Sequence, residues 1–354
     1  MLYGIIAATA AFLLAALLTT LLRGLALRLG ICDRRRQRPL PLFGGVAVVL
    51  VTGLVAGAGE WTGVAPLGSG IGGLLVAGGA VALLGLVADV VRIRRRVLLV
   101  GTALAAAFVV PYGETGVPAG ILAVGWIALV ATAFRGLDHA DGLAGTVGVV
   151  TAFGVGVCAA AEVLDGLAVL LSALAAALTG FLLHNWHPAR IALGACGSLF
   201  SGFVLASAAV FTRAGQGLSS SAAVLFALTA PACADVLLVV ASRRLAGRPL
   251  SRRGPDHLGH RLRRIGLSAP GVTVLLGIGA FCGVLVAVLV HTGRAGEGTV
   301  LWVAGGALAL VLGLLRIRVP EARRTAGFPV RATGVQPYAT ASSQVTGPLR
   351  VRSG

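Results

Sequence analysis

Long apolar stretches separated by short polar gaps set the plan of this chain. The apolar runs are Leu2 to Leu22, Gly44 to Ala58, Gly70 to Val90, Val97 to Val110, Val117 to Phe134, Ala144 to Ala161, Leu164 to Leu183, Leu199 to Phe211, Ala222 to Ala241, Val272 to His291 and Val300 to Leu315. A helix needs about 20 mostly apolar residues to cross the hydrocarbon core of a bilayer. Many of the runs approach that length, so the pattern predicts an all-α polytopic membrane protein with about 10–11 transmembrane helices. No basic segment precedes Leu2 to Leu22, so that run reads as the first membrane helix rather than a cleaved leader. Ala, Gly, Leu and Val dominate the runs, and small side chains let membrane helices approach closely.

Composition agrees: the 354 residues are 57% hydrophobic and 12% charged, with a mean hydropathy of +0.95. The formal net charge is +17, and all 29 basic residues are arginine, which removes any mechanism built on a lysine Schiff base or a P-loop lysine. Nucleic acid is not the partner this charge implies, because the arginines sit in short gaps between apolar runs instead of on one solvated face. They mark topology. With eleven spans and the N-terminus outside, the odd-numbered gaps and the C-terminal tail hold 27 of the 29, and only Arg213 and Arg294 fall outside. The expected organisation is a membrane domain over residues 1–318 and a disordered basic cytoplasmic tail over 319–354. The five cysteines form no C-x-x-C pair and read as buried free thiols.

The inward gaps carry the polar chemistry. In the first, GICDRRRQRPLPLFGG, a basic cluster precedes two prolines and a glycine pair, a rim suited to a phosphate-bearing ligand or a plain stop-transfer signal. Asp89 closes the third run, where an acid faces a polar cavity or pairs with Arg92. In ATAFRGLDHADGLAG, Asp138 and Asp141 stand three apart beside Arg135 and His139, able to take a metal, orient a hydroxyl, act as a base or cap a helix. HNWHPARIALGACGSLF offers His184, Asn185, His187, Arg190 and a small-residue turn, Gly194 to Ser198, whose backbone N–H groups suit phosphate. The last inward gap holds His257 and His260 three residues apart, on one face if helical, with Arg261 and Arg264 a turn further: a face for an anion. Asp235 precedes it, inside the ninth run.

Taken in order, these segments resemble the polyprenyl-phosphate glycosyl-1-phosphate transferases, the family of phospho-N-acetylmuramoyl-pentapeptide transferase and undecaprenyl-phosphate N-acetylglucosaminyl-1-phosphate transferase. PLFGGVAV is similar to the family's proline and glycine lead-in to its second helix, LLGLVADV to L-L-G-x-x-D-D, and AFRGLDHADGLAG to N-A-x-N-x-x-D-G-x-D-G-L-A. HNWHPARIALGACGSLF is similar to Y-N-x-x-P-A-(K/R)-x-x-x-G-D-x-G-S-L-F, and PDHLGHRLRRIGLS to D-x-x-H-L-H-H-R-L. The resemblance runs from about Gly30 to Ser268.

It implies attack of a polyprenyl phosphate on a UDP-activated amino sugar, with Mg²⁺, releasing UMP in the synthesis of a cell-envelope polysaccharide or peptidoglycan precursor. The site would lie on the cytoplasmic face of the cell membrane, and a homodimer is expected at family level. By the same resemblance Asp89, Asp138, Asp141, His257 and His260 are catalytic, and Asn185, Arg190, Gly194, Gly197, Ser198 and Arg261 bind substrate. No metal ligand set is assigned. Departures concentrate on the acidic side: Ala88 stands for the first Asp of D-D, Thr132 and Arg135 for the two asparagines, and Ala195 for the Asp of G-D-x-G-S. Gly259 replaces a histidine, and Leu98 a basic residue. The alternative these changes raise is a catalytically inactive relative that binds prenyl phosphate or a partner enzyme as regulator or scaffold.

Overall fold

The computed structural model describes residues 2–33, 39–63, 66–68, 70–91, 93–247, 249, 254 and 256–317; the arginines of 34–38, Arg92 and the expected tail 319–354 lie outside the described residues. All eleven apolar runs are helical. They form α1 (Leu2–Arg28), α2 (Gly44–Trp61), α3 (Ile71–Val90), α4 (Arg95–Val109), the single turn α5 (Tyr112–Thr115), α6 (Val117–Leu137), α7 (Leu143–Ala161), α8 (Asp165–Asn185), α9 (Gly194–Phe211), α10 (Leu218–Leu228), α11 (Ala230–Leu245), α12 (Leu258–Arg264), α13 (Ala269–His291) and α14 (Val300–Leu315). Between α1 and α2, β1 (Cys32–Asp33) pairs antiparallel with β2 (Leu40–Pro41), Cys32 opposite Pro41.

Local chemistry sets the helix ends. Ser268 begins α13, its Oγ accepting the N–H of Gly271 at 3.2 Å, and Pro270 fills a first-turn position where its missing N–H costs nothing. The run Ala222 to Ala241, read as one span, is two helices bent by 85° at Thr229. Pro231 explains the break, since its ring would meet the carbonyl of residue 227 and its nitrogen has no proton for the helix ladder.

Nine of the described helices are long and apolar enough to cross a membrane, ten if the bent α10–α11 pair counts as one span; α4, with 15 residues, is shorter. The chain is a multi-pass membrane protein. At its centre lies α9, buried at every position from Gly194 to Val210 and packed by α2, α3, α6 and α7. It tolerates this because its side chains are small or apolar all round. Gly45 and Gly197 meet where α2 crosses α9: a Cβ on either would overlap the other's backbone. Helices α1 and α14 lie at the margins, α1 against α8 and α2, α14 against α11.

Candidate functional site

At the N-terminal end of α9 the polar gaps clasp one another through backbone and side chain. The N–H of Ala192 donates to Pro41 O at 2.8 Å and that of Gly44 to Ala192 O at 3.2 Å, joining the first gap to the fourth. Asn185, 2% exposed, joins the third to the fourth: its Oδ1 accepts the N–H of Gly142 at 3.0 Å and its Nδ2 donates to Ile191 O at 2.8 Å. Asp141 adds a second tie, its Oδ2 accepting from His187 Nδ1 at 2.9 Å and Ala189 N at 3.2 Å. Asn185 thus holds loops together.

The acids Asp89 and Asp138 converge on the first turn of α9. Asp89 accepts the N–H groups of Ala195 (2.8 Å) and Cys196 (3.0 Å), and Asp138 Oδ2 accepts that of Gly194 (3.0 Å). These are orphan donors at the positive end of a helix dipole, where carboxylates are stabilising. The small-residue turn expected to offer its N–H groups to phosphate therefore offers these three to carboxylates. Gly197 and Ser198 lie within the helix, Gly197 against Gly45 and Ser198 Oγ donating to Gly194 O.

A histidine cluster forms the opposite wall. Asp235, 1% exposed on α11, accepts the N–H of Leu258 on Oδ1 and His257 Nδ1 on Oδ2, each at 2.8 Å. Since a carboxylate only accepts, Nδ1 of His257 carries the proton and Nε2 is left for a ligand. His257 is not in the expected helix: it is the residue before α12, and the ring nearest it is His139, from the α6–α7 loop. The His139 ring stacks on His257 at 4.8 Å between centroids and tilts against His260 at 4.7 Å, while its Nδ1 donates to Gly136 O at 2.6 Å. Gly136 lets the walls meet, since a Cβ there would stand 3.1 Å from Asp235 Oδ2. Burial, with further repulsion from His257 and His260, pushes His139 down to about 3. His260 is lowered by burial first, then by His257, Arg263 and Arg264. A cavity of about 50 Å³ lies beside these rings, lined in part by His139, Asp141, His260 and Arg263.

Arg261 does not share the anion-facing surface expected of it. It is 3% exposed, and its guanidinium donates to Ser242 Oγ and to the carbonyls of Leu314 (2.6 Å) and Ile317 (3.2 Å), tying α12 to α11 and to the C-terminal end of α14. Those carbonyls are the acceptors a helix end leaves over, so the arginine is a structural pin. Arg190 is exposed, and its backbone carbonyl accepts Arg23 Nε at 3.3 Å.

The acids, the loops, His257 and the α12 residue His260 are thus gathered at one end of the bundle. Sequence reasoning gave no role to Asp235 as a partner of His257, to His139 or to Gly136. Asp235 carried a signal, a lone acid inside an apolar run, which implies a buried partner. Magnesium does not fit what is described: Ala195 presents a methyl group, Asp89 and Asp138 turn oxygens to the α9 backbone, and among the described residues no group of three or more His, Cys, Asp or Glu could hold an ion.

Comparison with known proteins agrees with the motif pattern. A family model described as glycosyl transferase family 4 matches residues 71–213. A Streptomyces coelicolor protein whose name assigns it provisionally to the glycosyltransferases is 64% identical over 364 aligned residues, covering 100% of this chain and 89% of its own. The decaprenyl-phosphate N-acetylglucosaminephosphotransferase of Mycolicibacterium smegmatis is 30% identical over 304 residues, 72% of this chain and 74% of that one. The phospho-N-acetylmuramoyl-pentapeptide-transferase of Heliobacterium modesticaldum is 38% identical over 120 residues, 34% of this chain and 36% of that one.

Proposed function

We propose, from the premise that this chain belongs to glycosyl transferase family 4, the polyprenyl-phosphate sugar-phosphate transferases, that it moves a phospho-amino-sugar from a UDP-linked donor onto a polyprenyl phosphate. The observation that carries this reading is the pairing of His257 with the buried Asp235, against His139 of the Asp138–Asp141 loop. In the reaction an oxygen of the lipid phosphate bonds to the sugar-bearing phosphorus, the bridge to the second phosphorus breaks, and UMP leaves. Two anionic groups have to meet, so positioning and charge stabilisation carry most of the work. His257 Nε2 is suited to hold or take a proton at the lipid phosphate, because Asp235 fixes the tautomer and supports the charged ring. The arginine-rich gaps would supply the positive field, and their distribution supports a site at the cytoplasmic face of the cell membrane, with the N-terminus outside and the C-terminus inside. The lipid tail would lie along the apolar helix faces. A homodimer remains part of the proposal on family grounds alone. No step is assigned to Mg²⁺.

A second reading, an inactive relative that keeps prenyl phosphate or docks on a partner enzyme, is favoured by one observation: Ala195 and the capping role of Asp89 and Asp138 remove acids from the chemistry. Purified protein in detergent with undecaprenyl phosphate and a panel of labelled UDP-amino-sugars separates the two. Lipid-dependent UMP release supports the transferase, whereas lipid retention without release with any donor supports the binder and defeats the first reading.

A further inference from the structure

Three imidazoles meet in this cleft although α12 and the residue before it supply two. The third comes from His139, and the geometry around it is tightly determined. Its Nδ1 is bound to Gly136 O at 2.6 Å, a carbonyl that can only accept, so Nδ1 carries the proton and Nε2 is a bare lone pair. That Nε2 is buried and has no hydrogen-bond partner among the described residues. It points at Gly259: a Cβ built there would stand 2.6 Å from it, well inside contact distance, and 3.4 Å from the Cβ of Ala140. The His139 ring therefore uses space that any side chain on residue 259 would need. From that space it contacts the rings of both His257 and His260.

We propose that His139 is a positioning residue for His257 and His260, and that positions 139 and 259 are a coupled pair in which one member carries the imidazole and the other must be glycine. The ring reaches the same place from the α6–α7 loop as it would from α12. A free glycine at 259 without His139 leaves His257 held only by Asp235 and lets His260 turn; a side chain at 259 with His139 present drives the rings apart. This chain has the arrangement that the geometry allows, histidine at 139 and glycine at 259.

This inference rests on the transferase reading only for its activity readout, so the test has a second one. Four proteins are compared: the natural chain, His139→Gly, Gly259→His, and the double variant H139G/G259H. Each is checked for a monodisperse profile and thermal unfolding in detergent, then for the ring-nitrogen NMR signals of His257 and His260 in ¹⁵N-histidine-labelled protein, and for lipid-dependent UMP release. We expect each single variant to shift the His257 and His260 signals and to lower turnover about tenfold or more, with the double variant back within about threefold of the natural chain, a coupling well beyond additivity. If the single variants unfold, the double variant is expected to fold. If no protein turns over, the transferase reading fails while the NMR signals still decide the pair: recovery in the double variant upholds it. A double variant no better than the worse single one, or a Gly259→His protein that behaves like the natural chain, overturns it.

Discussion

Asp89 and Ala195 meet across the seam of α3 and α9: Oδ1 of the acid accepts the backbone N–H of the alanine at 2.8 Å, and its Oδ2 takes the next N–H, from Cys196, at 3.0 Å. Close packing makes this geometry possible, since Gly85 lies against Ala195 with no room for a Cβ, which would stand 2.5 Å from the Ala195 carbonyl oxygen. The acid that motif similarity marks as catalytic is the N-terminal cap of the most buried helix. Asp89→Ala should lower stability by about 1–3 kcal/mol, because two N–H groups lose their acceptor, and Asp89→Asn by less, since one acceptor remains. Thermal unfolding in detergent measures both, and equal stability of all three proteins would remove the capping role.

The same seam predicts a metal response in a variant. Ala195→Asp puts a second carboxylate beside Asp89, so like charges destabilise it without metal, and a hard cation that takes oxygen ligands relieves them. We expect Mg²⁺ to raise the unfolding temperature of Ala195→Asp and to leave the natural protein unchanged, by calorimetry or thermal shift. A variant as indifferent to Mg²⁺ as the natural chain would show that position 195 is not where a metal would bind.

Where α2 crosses α9, Gly45 and Gly197 allow backbone contact. Gly197→Ala forces a methyl group into the Gly45 backbone and should cost about 1–3 kcal/mol, as overpacking does. Comparison with Gly53→Ala, on the open side of α2 where a Cβ meets nothing, separates packing from a general effect of removing glycine. Similar losses at both positions would contradict the close approach.

Acid should weaken the fold through the histidine cluster. In the unfolded chain histidine takes a proton near 6.5, whereas burial holds His139 to about 3, and His260 shifts in the same direction. Between those values the unfolded chain binds protons that the folded one refuses, so the stability is whole above about pH 6.5 and is lost as pH falls towards 3. Unfolding temperatures at pH 7.5 and pH 5 should differ, and His139→Phe should flatten the difference. The same slope in both proteins would mean that His139 does not contribute.

Much of this architecture was legible in the chain. Every apolar run became a helix because all-round apolar stretches of this length have no other stable form in a bilayer. The polar gaps were legible as the candidate site because arginine, aspartate and histidine are too costly to place within the apolar runs without purpose. What stayed hidden depends on partners far apart in sequence. Nothing near Asp89 says that its oxygens will face residues 195 and 196, and a helix periodicity that set His257 and His260 on one face could not foresee that His257 precedes α12 or that His139 stacks on both rings. The contacts of Arg261 were hidden for the same reason. Its spacing fits the histidines, yet the carbonyls that claim it belong to residues 314 and 317.

The most direct test of the account is the rate of lipid-dependent UMP release by the natural protein and by Asp235→Asn, with undecaprenyl phosphate and the UDP-amino-sugar that gives the highest rate. If the Asp235–His257 pair organises a working phospho-sugar transfer site, the natural protein releases UMP only when the lipid is present. Asp235→Asn then falls about 100-fold in kcat with a much smaller change in KM, because the ring loses its tautomer and the support of its charged form. No lipid-dependent release with any donor, or an Asp235→Asn protein as fast as the natural one, would contradict it.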